Sequence, residues 1–172
     1  GTVGLEIVED LPGAQVVVVP AGGGGLLAGV ASAIRQLAPG ARVVGVELEA
    51  GPGFGPALAA GKPVPVPRPA GTLADGLTPP FVGAIPLAIV RECVDAIVTV
   101  TEQEIIAAMR LLVTRAKLYV EGAGAAATAA VLAGKVGAAP GAKVVAIVSG
   151  GNIDVARLFG IFADAVTPGG RA

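Results

Sequence analysis

The chain has 172 residues and a formal net charge of −1, from 12 basic and 13 acidic side chains. This balance argues against nucleic acid or an anionic membrane as a partner, and aromatic residues, at 3%, are too few for base stacking. Because the chain has no histidine, imidazole catalysis and histidine-ligated zinc are excluded within it. Its one cysteine, Cys93, excludes an internal disulfide and fits a reducing compartment, so we expect a cytoplasmic protein.

Helical and strand patterns alternate along the chain. Helices are predicted over residues 2–11, 25–37, 56–60, 84–94, 101–117, 122–132 and 153–162, and strands over residues 16–19, 43–47, 96–100 and 143–148. The Pro- and Gly-rich stretch 51–80 is predicted as a surface excursion, and residues 167–172 as a frayed tail. This order predicts an α/β fold of three layers, with a mostly parallel four-stranded sheet between helices on both faces.

The first strand runs directly into four consecutive glycines, Gly22 to Gly25, and then into a helix. A strand-to-helix turn of this kind collects unpaired backbone amides where the helix dipole is positive, which is how proteins bind phosphate. One or two glycines would be enough for a plain tight turn, whereas four cost backbone entropy. The stretch therefore predicts a phosphate site. Ligands of such sheets bind beyond the carboxyl ends of the strands, where Glu47, the loop around Asp75 and Ser149 are also expected.

No charged residue occurs between Leu11 and Ile34, a length that could span a membrane. Pro20 and the four glycines would break the helix that a span requires, and the N-terminus lacks the pattern of a signal peptide. We therefore expect no membrane partner. The chain begins at Gly1 rather than Met and within a helical pattern, so we expect it to be part of a longer protein.

Thr101 and Glu104 have the spacing of a capping box at the start of a helix. Ile105, Met109 and Leu112 follow at the spacing of a buried helical face. This pattern accounts for the whole segment structurally, so we assign no chemistry to it.

Two other phosphate-binding motifs compete for the glycine-rich stretches. Gly23 to Ala28 formally matches the dinucleotide pattern G-x-G-x-x-[G/A], and Glu47 ends the next strand where a ribose-binding acid would lie, so a nicotinamide enzyme is an alternative. A Walker-type loop fails, because Gly55 to Lys62 is one residue too long and Pro63 replaces the required Ser or Thr.

Five motifs follow one another along the chain. They are Val19-Pro20-Ala21-Gly22-Gly23-Gly24-Gly25-Leu26, Val44-Gly45-Val46-Glu47, Thr72-Leu73-Ala74-Asp75-Gly76-Leu77, Val120-Glu121-Gly122-Ala123-Gly124 and Val148-Ser149-Gly150-Gly151-Asn152-Ile153-Asp154. In this order they resemble the motifs of the fold-type II pyridoxal-phosphate enzymes, and within them the threonine/serine dehydratase group, which includes serine racemase. The resemblance covers nearly the whole chain, including the helix that begins Gly1-Thr2-Val3-Gly4.

The resemblance implies the large-domain part of the tryptophan synthase β-like fold and pyridoxal 5′-phosphate as the cofactor. The glycine-loop amides would hold its phosphate, Ser149 would share a hydrogen bond with the pyridine nitrogen, and Glu121 would lie near the ring. Without the resemblance, Ser149 would be interpreted as a helix cap and Asp75 as a turn former. The implied cofactor-binding residues are Gly22, Gly23, Gly24, Gly25, Leu26, Asp75, Gly76, Glu121, Ser149 and Gly150.

Relatives in this group often hold a metal ion near the second strand. The resemblance places that site at Glu47 and the carbonyl of Gly51, but Gly53 stands where the second acid is usual. A divalent ion therefore lacks a carboxylate, and a monovalent ion, or none, is an equal expectation.

The family's cofactor-binding lysine lies in its N-terminal half, in a Ser-x-Lys-x-Arg context that surrounds none of the chain's lysines, Lys62, Lys117, Lys135 and Lys143. We therefore expect residues 1–172 to be the C-terminal part of a catalytic domain whose lysine-bearing part is absent. The implied activity is dehydration and deamination of L-threonine or L-serine to 2-oxobutanoate or pyruvate, within amino-acid metabolism and isoleucine biosynthesis. This chain alone is expected to be inactive, to need the missing segment or a second chain, and to come from a homo-oligomeric parent. A serine racemase-like enzyme and a cofactor-binding remnant are the alternatives.

Overall fold

A computed structural model of the chain describes residues 1–163, so the predicted frayed tail at 167–172 lies outside the described residues. Seven helices and four strands alternate within it. The helices are α1 (Thr2–Asp10), α2 (Gly25–Leu37), α3 (Phe54–Ala60), α4 (Ala84–Cys93), α5 (Glu102–Leu111), α6 (Gly122–Leu132) and α7 (Val155–Ala163). The strands are β1 (Val16–Pro20), β2 (Arg42–Leu48), β3 (Ala96–Val100) and β4 (Val144–Ala146).

The four strands form one parallel sheet in the order β3-β2-β1-β4. Val18 on β1 is in register with Val44 on β2 and with Ala146 on β4, so the carboxyl ends of these strands lie along one edge. Parallel strands need crossover helices, and the chain supplies one or more between each successive pair of strands. The predicted α/β class, with a four-stranded sheet, is confirmed.

Alternate residues of the central strands face opposite layers. Val16 and Val18 pack in one core with the buried residues of α5, α6 and α7, whereas Val17 and Val19 pack in a second core with those of α2, α3 and α4. The side chains of β1 are buried on both faces of the sheet, so the strand has to be apolar throughout. Val16 to Val19 accordingly contains no polar residue. The sheet is therefore covered by helices on both faces, as predicted.

Most predicted boundaries agree with the structure to within two residues, and three segments differ in length or in type. Strand β4 spans three residues instead of the predicted 143–148, because after Ile147 donates to the Val18 carbonyl the chain leaves the ladder towards α6. The predicted helix 101–117 ends as an α-helix at Leu111 and continues as one π-turn to Ala116. A 3₁₀ turn at Asp75–Leu77 forms within the segment predicted as an irregular excursion.

The predicted capping box is confirmed at the start of α5. The Glu104 amide donates to Thr101 Oγ1 at 3.2 Å, and the Thr101 amide donates to the Glu104 carboxylate at 2.7 Å. Lys135 also donates to this carboxylate at 2.7 Å. Burial raises the pKa of Glu104, but the hydrogen bonds from Lys135 and Thr101 outweigh it, so the pKa lies below its ordinary value. Within residues 1–163, no helix has the length and apolar character that crossing a membrane requires.

Candidate cofactor site

A cavity of about 290 Å³ lies at the carboxyl ends of β1 and β4. It brings together eight of the ten residues that the resemblance singled out, although they come from four separate segments of the chain. Asp75 and Gly150 are the two that do not line it. The eight are Gly22, Gly23, Gly24, Gly25, Leu26, Gly76, Glu121 and Ser149.

Two of the four loop glycines are required by the protein's own backbone and packing. Gly22 and Gly24 have φ angles of +50° and +95°, in the left-handed region that favours glycine. A Cβ atom on Gly24 would also lie 2.5 Å from both Phe54 Cζ and Pro86 Cβ. In contrast, a Cβ on Gly25 would meet no atom of residues 1–163 within 4 Å outside its own helix backbone and chain neighbours. The absence of a side chain at Gly25 therefore leaves space at the cavity and is not needed for internal packing.

The glycine loop presents backbone donors that the fold itself does not use. The amide of Ala21 donates to Val46 O at 2.9 Å, that of Gly24 to Ala21 O at 2.8 Å, and that of Ala28 to Gly24 O at 2.8 Å. No acceptor is found among residues 1–163 for a set of other amides in this turn. They belong to Gly22, Gly23, Gly25 and Leu26. Unpaired donors at the start of a 13-residue helix fit an anion such as a phosphate group.

Small residues at the start of α6 allow two loops to seat against the helix. A Cβ on Gly122 would overlap the backbone carbonyl of Leu73, and one on Gly124 would overlap the backbone of Gly150. The backbone of Glu121 is tied to the second loop, since its amide donates to Gly150 O at 3.2 Å. The glycines of this motif therefore bring the two loops together around the cavity.

Glu121 and Ser149 supply the polar side chains of the cavity. Glu121 is half-buried at the N-cap of α6. A Cβ on Gly150 would overlap Glu121 Oε1, so Gly150 packs closely against this carboxylate. Ser149 is exposed at the cavity and lies six positions before α7, which begins at Val155. Ser149 is therefore too far along the chain from α7 to be its N-cap, and the interpretation of Ser149 as a helix cap is not supported.

Asp75 lies beside a neighbouring polar cavity with Arg68 and Arg157. Its Oδ1 accepts the amide of Gly76 at 3.0 Å, and its carbonyl accepts both the amide and the hydroxyl of Thr78 at 3.1 Å. These bonds form the 3₁₀ turn. The loop therefore reaches the cofactor-site cavity through Gly76, while the Asp75 carboxylate serves the turn.

Glu47 is 3% exposed, and backbone amides surround its carboxylate. It accepts from the amides of Gly53 at 2.7 Å, Phe54 at 2.6 Å and Gly55 at 3.4 Å, which fixes the start of α3. Within residues 1–163, His, Cys, Asp and Glu side chains form no group of three or more able to hold a metal ion. The cation site at Glu47 and Gly51 stays a prediction. A ribose hydroxyl would have to compete with three amides for Glu47, which argues against the nicotinamide alternative.

The lysines lie away from the cavity. The Nζ atoms of Lys117, Lys135 and Lys143 donate to the carbonyls of Thr114, Thr99 and Pro12, and no lysine lines the cavity within the described part of the chain.

Comparison with known proteins decides the family. Residues 1–150 match the family model described as pyridoxal-phosphate dependent enzyme. The chain belongs to this family. It is 47% identical over 168 residues to the L-threonine dehydratase catabolic TdcB of Escherichia coli (strain K12), covering 96% of this chain and 51% of that protein. The chain thus spans about half the length of the curated relatives it matches.

Solved structures agree with this assignment. A threonine deaminase from T.th. is 40% identical, with a TM-score of 0.78 over 89% of this chain and 55% of that one. The serine racemase of Dictyostelium discoideum is 33% identical, with a TM-score of 0.80 over 90% of this chain and 49% of that one. The predicted family and fold are therefore confirmed.

Sequence reasoning missed the residues that hold the Gly76 loop from outside the cavity. Glu102, on α5, accepts from the Thr72 hydroxyl and the Leu73 amide. Arg157, on α7, donates to the Thr72 carbonyl. The capping box had already accounted for the segment around Glu102. The partners of Glu102 lie about 30 positions earlier in the chain, where no local pattern connects them.

Proposed function

We propose that this chain forms the phosphate- and pyridine-binding part of a pyridoxal-phosphate-dependent ammonia-lyase. The parent reaction removes water and ammonia from L-threonine or L-serine and gives 2-oxobutanoate or pyruvate. The observation that carries the proposal is the cavity that the unpaired amides at the start of α2 line together with Ser149. The relative described as an L-threonine dehydratase supports the substrate class.

The donor set fits the phosphate group of the cofactor. The amides of Gly22, Gly23, Gly25 and Leu26 have no acceptor within residues 1–163, and the α2 dipole adds positive potential at the same point. Gly25 leaves room for the group to approach the backbone. We propose that these amides bind the phosphate and thereby set the position of the ring.

Ser149, Glu121 and Gly76 line the same cavity as the glycine loop. When bound, pyridoxal phosphate supplies an electron sink for the bonds at the amino acid's Cα. We propose that Ser149 contacts the pyridine nitrogen through its neutral hydroxyl, with Gly150 and Glu121 beside it. A carboxylate there would hold a proton on that nitrogen, whereas a hydroxyl does not, which suits elimination of the substrate's β-hydroxyl group.

We propose that residues 1–172 are the C-terminal part of the parent catalytic domain and that the family's lysine lies in the part of the relatives that this chain does not match. None of the chain's own lysines lines the cavity within the described residues. On this proposal the chain alone has no dehydratase activity and needs a lysine-bearing segment, either in one polypeptide or as a second chain. We further propose a cytoplasmic, homo-oligomeric parent.

A serine racemase-like enzyme is the second candidate, favoured by the likeness to the Dictyostelium structure. Both reactions use the same cofactor and a small hydroxy amino acid. A cofactor-binding remnant requires the same phosphate site and differs only in lacking turnover. The place in isoleucine biosynthesis stays a prediction, because the E. coli relative is described as catabolic.

Ligand-dependent unfolding tests the proposal. Pyridoxine 5′-phosphate is the probe, because it has the ring and phosphate but no aldehyde to react with surface lysines. At a hundredfold excess over its Kd, a specific ligand stabilises by about 2.7 kcal/mol, which should raise the melting temperature by roughly 5–10 °C. Pyridoxine without the phosphate, and NAD, should give much smaller shifts. A larger shift with NAD would instead support the nicotinamide alternative and overturn the proposal.

A further inference from the structure

A carboxylate outside the cavity orders the segment that precedes the 3₁₀ turn. Glu102, in the first turn of α5, accepts from Thr72 Oγ1 at 2.9 Å and from the Leu73 amide at 2.5 Å. Thr72 is 9% exposed, and its Oγ1 also accepts from the Ala74 amide at 3.1 Å. One side chain of α5 thereby fixes three consecutive residues of a loop about 30 positions away in sequence.

Arg157 binds the same segment through its carbonyl groups. The guanidinium, on α7, donates to the carbonyl of Thr72 and, at 3.5 Å, to that of Gly71. The loop's donors therefore bind the carboxylate of Glu102 on α5, and its carbonyl groups bind the guanidinium of Arg157 on α7. Hydrogen bonds to charged groups are stronger than neutral ones, so this pair of contacts is well suited to fix the loop.

The loop position matters at the cavity because the contacts there are tight. A Cβ on Gly22 would lie 3.0 Å from Gly76 O, and a Cβ on Gly76 would lie 3.0 Å from the Ala123 Cβ. Gly76 is thus held between the glycine loop and α6. A displacement of Thr72 and Leu73 would be transmitted through the 3₁₀ turn to the cavity wall.

We infer that Glu102 is a positioning residue of the cofactor site: its carboxylate, through Thr72 and Leu73, holds Gly76 in contact with the glycine loop. The inference rests on the proposed function, because the cavity is taken as the cofactor site. It predicts that substitution of Glu102 lowers ligand affinity, an effect that a change in the stability of α5 alone would not produce.

The test compares Glu102→Gln and Glu102→Ala with Glu104→Gln in the 172-residue chain. Glu104 lies in the same helical turn and caps the helix, but its bonds go to Thr101 and Lys135 and not to the loop. Calorimetry well below the melting temperature measures the Kd of pyridoxine 5′-phosphate. The Glu102→Gln change should weaken binding about fivefold or more, and Glu102→Ala should weaken it further. Glu104→Gln should lower the melting temperature but leave the Kd within about twofold of wild type.

Wild-type affinity in Glu102→Ala, or an equal loss in Glu104→Gln, would overturn the inference while leaving the proposed function intact. If the wild-type chain binds no probe, the proposed function fails. Hydrogen exchange then decides the inference separately. Glu102→Ala should speed exchange of the Leu77 and Thr78 amides, which donate to the carbonyls of Ala74 and Asp75 in the 3₁₀ turn, because the loop is released. Unchanged rates at these two amides would overturn the inference.

Discussion

Gly25→Ala should weaken the binding of pyridoxine 5′-phosphate by at least about tenfold, without destabilising the protein. The substitution places a methyl group in open space at the cavity, where no atom of the described residues lies within 4 Å apart from its own helix backbone and chain neighbours. It should therefore obstruct a ligand that approaches the glycine-loop amides. Removing a helical glycine should leave stability unchanged or raise it by about 0.5–1 kcal/mol. Calorimetric titration and thermal unfolding of the same sample measure both effects.

Gly55→Ala is the matched control for this prediction. Gly55 also lies near the start of a helix, α3, but it does not line the cavity. A Cβ there also meets no atom within 4 Å in the part of the chain that the structure describes, apart from its own helix backbone and chain neighbours. Its variant should keep the wild-type Kd. If both variants bind the probe as wild type does, the phosphate does not lie at Gly25, and that part of the proposed site is wrong.

Gly124→Ala should destabilise the fold by about 1–3 kcal/mol, which lowers the melting temperature by roughly 2–12 °C. The new Cβ would overlap the backbone of Gly150, including the nitrogen at 2.9 Å, and backbone cannot rotate away as a long side chain can. The loop that carries Ser149 would have to move from α6. We expect the affinity for pyridoxine 5′-phosphate to fall as well, since Ser149 would leave the cavity.

Gly160→Ala, in α7, separates this steric effect from the general effect of replacing a helical glycine. Among residues 1–163, outside its own helix backbone and chain neighbours, a Cβ on Gly160 meets no atom within 4 Å, so the variant should be as stable as wild type or slightly more stable. Thermal unfolding of the two variants side by side makes the comparison. Equal melting temperatures would show that α6 does not need glycine at position 124 to seat the loop.

The parts of the fold that depend on local patterns could be predicted from the sequence. Helix α2 begins at Gly25 and ends at Leu37 as predicted, because glycines precede it and Pro39-Gly40 follow it. The end of β4 could not be predicted, since the apolar run continues to Val148 while the backbone leaves the sheet to reach Glu121. That departure depends on a contact between distant segments, which hydrophobic periodicity does not encode.

The site residues also divide into those that local patterns predict and those that depend on contacts between distant segments. The glycine loop and Ser149 follow strand ends, so sheet topology alone places them at one edge. The residue type of Asp75 already offered a turn role as the alternative to a cofactor contact, and its carboxylate does bind within its own turn. The sequence did not show that Glu47 would bind the amides of α3. The role of Glu102 was not predicted, because the capping box of Thr101 and Glu104 already accounted for this segment. Each of these roles depends on which backbone donors the folded chain leaves nearby.

The central claim is that the glycine loop binds the phosphate of the cofactor. The most direct measurement is a ¹H–¹⁵N spectrum of the labelled chain, titrated with pyridoxine 5′-phosphate. The account predicts that the amide shifts concentrate at Gly22, Gly23, Gly25 and Leu26, with a smaller effect at Ser149, and that pyridoxine without phosphate leaves the loop amides unchanged. Saturable shifts located elsewhere, with these loop amides unmoved, would contradict it.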